Sequence, residues 1–267
     1  MLEGQPLSLS FDVCPKGRRP LAFRLEAGDV TGAKAQLQHS DDIEVHFAFT
    51  ADFPAFLQDD DILDEQDWTD ISRQRNRELR RRAIASRVLL RKSLSNVFSD
   101  QVPASQWRFV RTGYGKLVLA ANGQPQVHFS ISHTRGASTI VISKFAPVGI
   151  DVEAFDSQVD NDALATGLSQ REQTIVSRLD SGSRSKALLK LWTLKEAYAK
   201  LVGVGLSAHL PSYEFLTDPA QPGQYCGTEE HARNARLKTW FVDHPHGKYC
   251  LSVAITATPF DRISDPS

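Results

Sequence analysis

The sequence has few of the residues that build disulfide-rich or membrane-spanning proteins. It contains three cysteines in 267 residues, at positions 14, 226 and 250, with no CxxC spacing. An odd number without that spacing argues against a disulfide framework or a zinc cluster and is typical of a reducing compartment, so we expect a cytoplasmic protein. No apolar run reaches 18 residues and the first 20 residues lack a signal-peptide pattern, so we expect neither membrane insertion nor secretion.

An excess of positive charge is missing as well. Lys and Arg total 31 and Asp and Glu total 32, which gives a formal net charge of −1 at pH 7. Proteins that hold nucleic acid or an anionic membrane through bulk charge carry a large positive excess. The charge balance therefore predicts no nucleic-acid partner and no membrane partner, and any electrostatic effect must come from a local cluster.

What the sequence does have is the composition of a folded protein. Hydrophobic residues make up 41% and charged residues 24% of the chain, which is enough apolar side chain for a core. Both halves mix helical and antiparallel-strand patterns, with no internal sequence repeat, and this favours an α+β fold. We predict a loosely packed N-terminal arm over residues 1–40, a first subdomain over residues 41–146 and a second over residues 147–267.

Hydrophobic periodicity predicts the elements that would carry functional residues. Helices are predicted over residues 78–97, 169–179 and 183–202, and a loop over 113–127. Strands are predicted over residues 43–49, 107–109, 127–131, 138–143, 148–153, 212–216, 238–242 and 249–256.

Two carboxylates lie close together in Gly149-Ile150-Asp151-Val152-Glu153. On a strand, Asp151 and Glu153 point to the same face, with Cα atoms about 6.5–7 Å apart. Two such groups could address one hard cation, and Mg²⁺ favours a few carboxylates combined with substrate phosphates. The alternative is a strand end with solvated acids.

The helix predicted over residues 183–202 is apolar on nearly all sides but contains Lys195, Glu196 and Lys200. Such a helix is expected to be buried, where Lys and Glu are rare unless they are paired or bound to a ligand. These three residues are therefore candidates for a site. The alternative is an exposed i,i+4 pair between Glu196 and Lys200.

Basic residues are concentrated in one helix. Eight Arg and one Lys lie between Arg73 and Lys92, and we expect most of them to form a solvated face. That polar face would contain Arg73, Arg77, Arg80, Arg87 and Arg91. Arg82 instead falls beside apolar positions, where it could meet a phosphate.

Two further features are weak individually. His133 follows Ser132 at the end of a predicted strand, although a lone His is more often structural. The loop Gly113-Tyr114-Gly115-Lys116 would allow close backbone approach to a ligand, with a cation beside it.

The order and spacing of four motifs is more specific than any one of them. GYGK at 113–116, FSISHT at 129–134, GIDVE at 149–153 and WTLKEAYAKLVGVGL at 192–206 resemble those of 4′-phosphopantetheinyl transferases of the surfactin-synthetase type. The resemblance implies two similar α/β subdomains related by a pseudo-twofold, and a monomer. It also implies transfer of the phosphopantetheine arm of coenzyme A to a serine of an apo acyl carrier protein, or of a carrier domain of polyketide or nonribosomal peptide synthetases. Mg²⁺ would be the cofactor and adenosine 3′,5′-bisphosphate the product.

The resemblance also implies roles for individual residues. The metal ligands would be Asp151, Glu153 and Glu196, and the catalytic groups Glu172, Glu196 and Lys200. Contacts to coenzyme A would come from Arg82, Gly113, Tyr114, Gly115, Lys116, Ser132, His133, Lys195 and Lys200. The base that takes the serine proton would be Glu172 or Glu196. Two other functions stay open: a Mg²⁺-dependent phosphohydrolase, and a module that binds partners through its basic helix.

Overall fold

The fold is known from a computed structural model that describes residues 21–24, 43–49, 53–121, 123–156, 159–204, 210–217, 224–227 and 235–256. Within these residues the chain forms two larger antiparallel sheets, each with a long helix packed against it. The predicted α+β class is confirmed.

The first half contains a four-stranded sheet and the basic helix. Its elements are β1 Leu21–Arg24, β2 Ile43–Phe49, α1 Phe53–Phe56, a 3-10 helix Leu57–Ile62, α2 Glu65–Ser72, α3 Arg77–Val97, a 3-10 helix Ala104–Gln106, β3 Phe109–Arg111, β4 Leu117–Leu119, β5 His128–Thr134 and β6 Ala137–Ser143. The strand order is β1-β2-β6-β5, and β3 pairs with β4 in a separate ribbon.

The second half contains a five-stranded sheet and the apolar helix. Its elements are β7 Val148–Ala154, α4 Asn161–Ala165, α5 Gln170–Ser177, α6 Ser181–Val202, a 3-10 helix Leu210–Ser212, β8 Phe215–Thr217, β9 Gln224–Gly227, β10 Ala235–His244 and β11 Gly247–Thr256. The strand order is β7-β11-β10-β9-β8.

The two halves share one arrangement of strands around a long helix. In the first, β2 leads through α3 to the hairpin β5–β6, and β2 pairs antiparallel with β6. In the second, β7 leads through α6 to the hairpin β10–β11, and β7 pairs antiparallel with β11. This common topology supports the predicted similarity of the halves. The pseudo-twofold and the subdomain boundary between β6 and β7 stay predictions.

One hydrophobic cluster joins the facing sides of the two sheets. Alternate residues of β2, beginning at Ile43, pack with alternate residues of β7 and β11 such as Ile150 and Val253. The opposite face of the first sheet packs on α3, and part of the opposite face of the second sheet packs on α6. This layering places β5 next to β7, the two strands that carry the predicted site motifs.

Two local predictions are wrong. Residues 21–24 form a strand paired with β2, although the arm over 1–40 was expected to be irregular; most of that arm lies outside the described residues. Residues 117–119 form β4 inside the predicted loop. Both strands are only three or four residues long, too short for a periodicity signal, and each depends on a partner strand.

The expected solvated face of the basic helix is also wrong in part. Arg87 and Arg91 are buried, Arg91 completely. Arg91 donates to Asp67 at 2.7 Å and pairs with Asp64 at 2.8 Å, and Arg87 pairs with Asp67 at 2.9 Å. Periodicity treats arginine as polar and so predicts exposure, whereas acids from α2 and its N-cap make burial of these two guanidinium groups tolerable.

Candidate functional site

A cavity of about 460 Å³ lies between the two halves. Its walls are formed by α3, the loop before β4, strand β5 and the C-terminal part of α6. Among its lining residues are the predicted Arg82, Tyr114, Gly115, Lys116, His133, Glu196 and Lys200. The structure therefore brings predicted residues from three separate motifs and the basic helix to one space.

Lys200 and Asp151 form the centre of the site. Lys200 Nζ lies 2.6 Å from Asp151 Oδ1 and 2.8 Å from Ser132 Oγ. The Ser132 hydroxyl donates to the same Asp151 oxygen at 2.7 Å. The other oxygen, Asp151 Oδ2, is buried and has no hydrogen-bond partner among the described residues.

The close approach of α6 to β7 depends on Gly149. A Cβ at this position would lie 2.0 Å from Ala197 O and 2.5 Å from Leu201 N. Because glycine has no side chain, the backbone of α6 can lie directly on the strand. This contact brings Glu196 and Lys200, which flank Ala197 along α6, to the strand that carries Asp151.

Negative charge is concentrated around this centre. Burial raises the pKa of Glu153 to about 7, and the neighbouring negative charge of Asp151 contributes to the shift. Burial also raises the pKa of Glu196 to about 7, with further contributions from Asp151 and Glu153. Asp151 thus opposes ionisation of both glutamates, and Glu153 opposes ionisation of Glu196.

The acidic cluster has the chemistry of a site for a divalent cation, although its geometry is open. Within the described ranges, no group of three or more His, Cys, Asp or Glu side chains is placed so that it could hold a metal ion. The unpartnered Asp151 Oδ2 and the repulsion among the three carboxylates nevertheless fit a hard cation, because carboxylate oxygens are the ligands that Mg²⁺ accepts. The assignment of Asp151, Glu153 and Glu196 as ligands of such a cation stays a prediction.

His133 faces positive charge. Its pKa is lowered by burial and then by Arg82 and Lys200. The side chain is therefore neutral near pH 7 and lies in an environment that attracts anions.

Lys116 lies at the end of α6. Its Nζ donates to the carbonyl oxygens of Lys200 at 2.6 Å and Leu201 at 3.2 Å. The helix ends at Val202 and is capped by Gly203, which has a left-handed φ of 79°. Lys116 therefore contacts the helix terminus and also lines the cavity.

Glu172 and Lys195 lie elsewhere. They form a buried pair 2.5 Å apart, and Lys195 also donates to Gly167 O. Glu172 accepts from the backbone N–H of Ser169 at 2.8 Å, which closes a capping box at the start of α5. Neither side chain is among those that line the cavity, and their catalytic and coenzyme roles stay predictions.

Several lining residues were missed by the sequence analysis. Arg111 lines the cavity and its Nε donates to Asp70 Oδ2 at 2.8 Å, while its Nη1 donates to Gly115 O at 2.7 Å. Arg87 also reaches the lining from the buried network. The position of Arg111, two residues before the glycine loop, was an available signal, whereas nothing in the sequence pairs Asp70 with it.

Two family models match the chain. One, described as 4′-phosphopantetheinyl transferase superfamily, matches residues 147–254, and the other, described as 4′-phosphopantetheinyl transferase, N-terminal, matches residues 49–145. The chain belongs to the 4′-phosphopantetheinyl transferase superfamily. The two matches together cover well over half of the chain. The match of the N-terminal model ends at residue 145, shortly before β7 begins at Val148.

Curated members of this superfamily are similar over about half of the chain. They include 4′-phosphopantetheinyl transferase gsp of Aneurinibacillus migulanus, 29% identical over 52% of this chain and 55% of that protein. The transferase HetI of Nostoc sp. is 29% identical over 55% and 62% of the two chains. The transferase Sfp of Bacillus subtilis is 30% identical over 49% and 56%. The matches thus span about half the length of these relatives.

Solved structures give a weaker comparison. Holo-[acyl-carrier-protein] synthase of Thermotoga maritima aligns with a TM-score of 0.32 and 21% identity, over 43% of this chain and 64% of that one. In the described part of the chain, no helix combines the length and hydropathy that crossing a bilayer requires.

Proposed function

We propose that this protein transfers the 4′-phosphopantetheine moiety of coenzyme A to a serine hydroxyl of an apo carrier protein. The observation that carries the proposal is the Lys200–Asp151 centre at the wall of a cavity whose other walls supply Arg82, Lys116 and His133. Superfamily membership supports the same reaction. The carrier would be an acyl carrier protein or a carrier domain of a polyketide or nonribosomal peptide synthetase.

The cavity's cations suit the charge of coenzyme A. Its diphosphate and 3′-phosphate bring clustered negative charge into one pocket, which Lys200, Arg82 and neutral His133 can offset through charge and hydrogen bonds. Arg82 lies on α3, whereas Asp151 and Glu153 lie on β7, and Arg82 is proposed to contact the 3′-phosphate. Gly113, Tyr114 and Gly115 are proposed to approach the adenosine.

The transfer forms one oxygen–phosphorus bond and breaks another. The serine oxygen attacks the β-phosphorus of coenzyme A, and adenosine 3′,5′-bisphosphate departs with the bridging oxygen and its electron pair. Lys200 Nζ is proposed to stabilise the charge that develops on the diphosphate. Mg²⁺, held by Asp151, Glu153 and Glu196, would supply further neutralisation of that charge.

A carboxylate must accept the serine proton. Glu196 lines the cavity, whereas Glu172 does not line it and is held by Lys195. Between the two candidates, the geometry favours Glu196 as the base.

We also propose that the protein acts as a monomer in the cytoplasm. A direct test mixes the purified chain with coenzyme A, Mg²⁺ and a panel of apo carriers, and follows each carrier by intact mass. We expect a mass gain equal to one phosphopantetheine group on at least one carrier, and none on a carrier whose acceptor serine is alanine.

The rival phosphohydrolase makes a different prediction in the same experiment. It would release phosphopantetheine or phosphate from coenzyme A without any carrier present. That release, together with unmodified carriers, would contradict the proposed transfer.

A further inference from the structure

Strands β5 and β7 run side by side although each belongs to a different sheet. The space between them is bridged by hydroxyl groups at alternate positions of β5. Ser130 Oγ accepts from the N–H of Ile150 at 3.2 Å, and Ser132 Oγ accepts from the N–H of Val152 at 3.3 Å. Thr134 Oγ1 accepts from the N–H of Ala154 at 3.1 Å. We call these three side chains the hydroxyl ladder.

Two members of the hydroxyl ladder also contact the acidic cluster. Ser132 donates to Asp151 Oδ1 at 2.7 Å, and Thr134 donates to Glu153 Oε2 at 2.8 Å. Ser130 has only the backbone contact among the hydrogen bonds that the structure describes for it. Two of the three hydroxyl groups in the ladder therefore contact a carboxylate, and the third does not.

The direction of each hydroxyl proton follows from these partners. A hydroxyl has one proton to donate, and a backbone N–H can only donate. Because the N–H of Ala154 occupies a lone pair of Thr134 Oγ1, the Thr134 proton is available for Glu153. Both lone pairs of Ser132 Oγ are occupied, since it accepts from the N–H of Val152 and from Lys200 Nζ at 2.8 Å, so its proton is available for Asp151.

This arrangement fixes one oxygen of Asp151 and one of Glu153. The other oxygen of Asp151, Oδ2, is buried without a hydrogen-bond partner among the described residues. Buried acceptors are almost always satisfied, so this oxygen calls for a ligand. Hydrogen-bond partners of a metal-ligating side chain fix its orientation, and removing them weakens metal binding.

We infer that Ser132 and Thr134 are positioning residues, which orient Asp151 and Glu153 so that their remaining oxygens address a divalent cation. The inference rests on the proposed function, because the cation belongs to the same site. It adds that an edge strand of the first half sets the geometry of acids on the second half. Thr134 is thus a positioning residue for Glu153, although the resemblance to known transferases implies no role for it.

A purely structural ladder is the competing explanation, and the chain offers a matched control. Thr134→Val keeps the shape and the β-branched side chain but removes the hydroxyl from both Ala154 N–H and Glu153. Ser130→Ala removes a hydroxyl from a backbone N–H alone. Thr134→Ser restores the hydroxyl and is the conservative rescue.

The test measures Mg²⁺ affinity by isothermal titration calorimetry, on the full chain alone and with saturating coenzyme A. We expect Thr134→Val to weaken Mg²⁺ binding by roughly tenfold or more. Ser130→Ala and Thr134→Ser should bind Mg²⁺ as the wild type does. Melting temperatures show which variants are folded. If Thr134→Val does not fold, Ser132→Ala takes its place and is expected to show the same loss of Mg²⁺ affinity.

Two results would overturn the inference. One is a Thr134→Val protein with wild-type Mg²⁺ affinity, and the other is an equal loss in Thr134→Val and Ser130→Ala, which would make the ladder structural only. In either case a wild type that still modifies carriers leaves the proposed function intact. A wild type that neither binds Mg²⁺ in either titration nor modifies carriers would remove both.

Discussion

At the scale of single residues, two buried glutamates have opposite surroundings. Burial, together with the like charges of Asp151 and Glu153, raises the pKa of Glu196 to about 7. Glu172 is instead paired with Lys195 at 2.5 Å and caps α5. A carboxylate among like charges is costly for stability and useful for binding or proton transfer. A paired and capping carboxylate stabilises the fold.

Substitution by glutamine separates these roles. Glu196→Gln should lower carrier modification by roughly 100-fold or more, because it removes a proton acceptor and a metal ligand. Its melting temperature should be unchanged or higher, since a neutral side chain relieves the repulsion. Glu172→Gln should lower the free energy of unfolding by roughly 3–5 kcal/mol, because Lys195 loses its partner. Transfer assays and denaturant titrations check both; full activity in Glu196→Gln would remove it from the mechanism.

Substitution of Arg82 tests how the ligand is oriented in the cavity. If Arg82 meets the 3′-phosphate, Arg82→Ala should weaken binding of coenzyme A by roughly tenfold or more, as expected for a lost charge-assisted hydrogen bond. Dephospho-coenzyme A, which lacks that phosphate, should be affected little. Competition binding with both ligands measures the difference, and equal losses would argue against the contact.

At the scale of elements, the docking of α2 onto α3 depends on buried charge. Arg91 Nη1 also donates to Trp107 O at 2.8 Å, so its guanidinium group joins α2, α3 and the segment before β3. Asp70 pairs with Arg87 in the interior but also with Arg73, whose side chain is 66% exposed. The same pair of helices thus contains a buried ion-pair network and an exposed ion pair.

The two kinds of pair should differ in strength. Arg91→Leu removes the buried partner of Asp64 and one of the two buried partners of Asp67, and we expect a loss of roughly 3–5 kcal/mol in the free energy of unfolding. Arg73→Ala removes an exposed partner of Asp70, and its effect should be within about 1 kcal/mol. Urea titrations of the two variants give the comparison. Similar losses in both would mean that burial does not decide the strength of this network.

The elements also show what the sequence could predict and why. Helices α3 and α6 were predictable because more than 20 residues of regular periodicity outweigh local noise. Strand β4 and helix α2 were missed, and strands β3 and β8 were predicted with shifted bounds, since short elements are selected by their tertiary partners. Three of the four motifs, GYGK, FSISHT and WTLKEAYAKLVGVGL, contribute residues to the cavity lining, whereas GIDVE does not. The burial of Arg87 and the contacts of Thr134 could not be predicted, because both depend on residues brought close only by folding.

At the scale of the whole molecule, Lys116 connects the halves. It comes from the first half and donates to the terminal carbonyls of α6 in the second. Burial lowers its pKa from 10.5 to about 8. Since the folded state binds its proton less well than the unfolded chain, the stability that this group contributes is complete above pH 10.5 and is lost as the pH falls towards 8.

Replacement of Lys116 tests this connection. Lys116→Met keeps the apolar stem but removes the donor, so it should be less stable than the wild type at pH 10.5, and the gap should narrow between pH 10.5 and pH 8. Denaturant titrations at the two pH values measure the gap. Lys116→Arg, which does not titrate in this range, is the control. A gap that stays constant with pH would show that Lys116 ionises normally in the folded protein.

The cavity has walls from both halves, with Arg82 on one side and Lys200 on the other. A ligand that contacts both walls adds its binding free energy to the attachment between the halves. If coenzyme A is that ligand, as proposed, its concentration would help to determine how long the folded chain survives heat or proteases, even when no carrier is being modified.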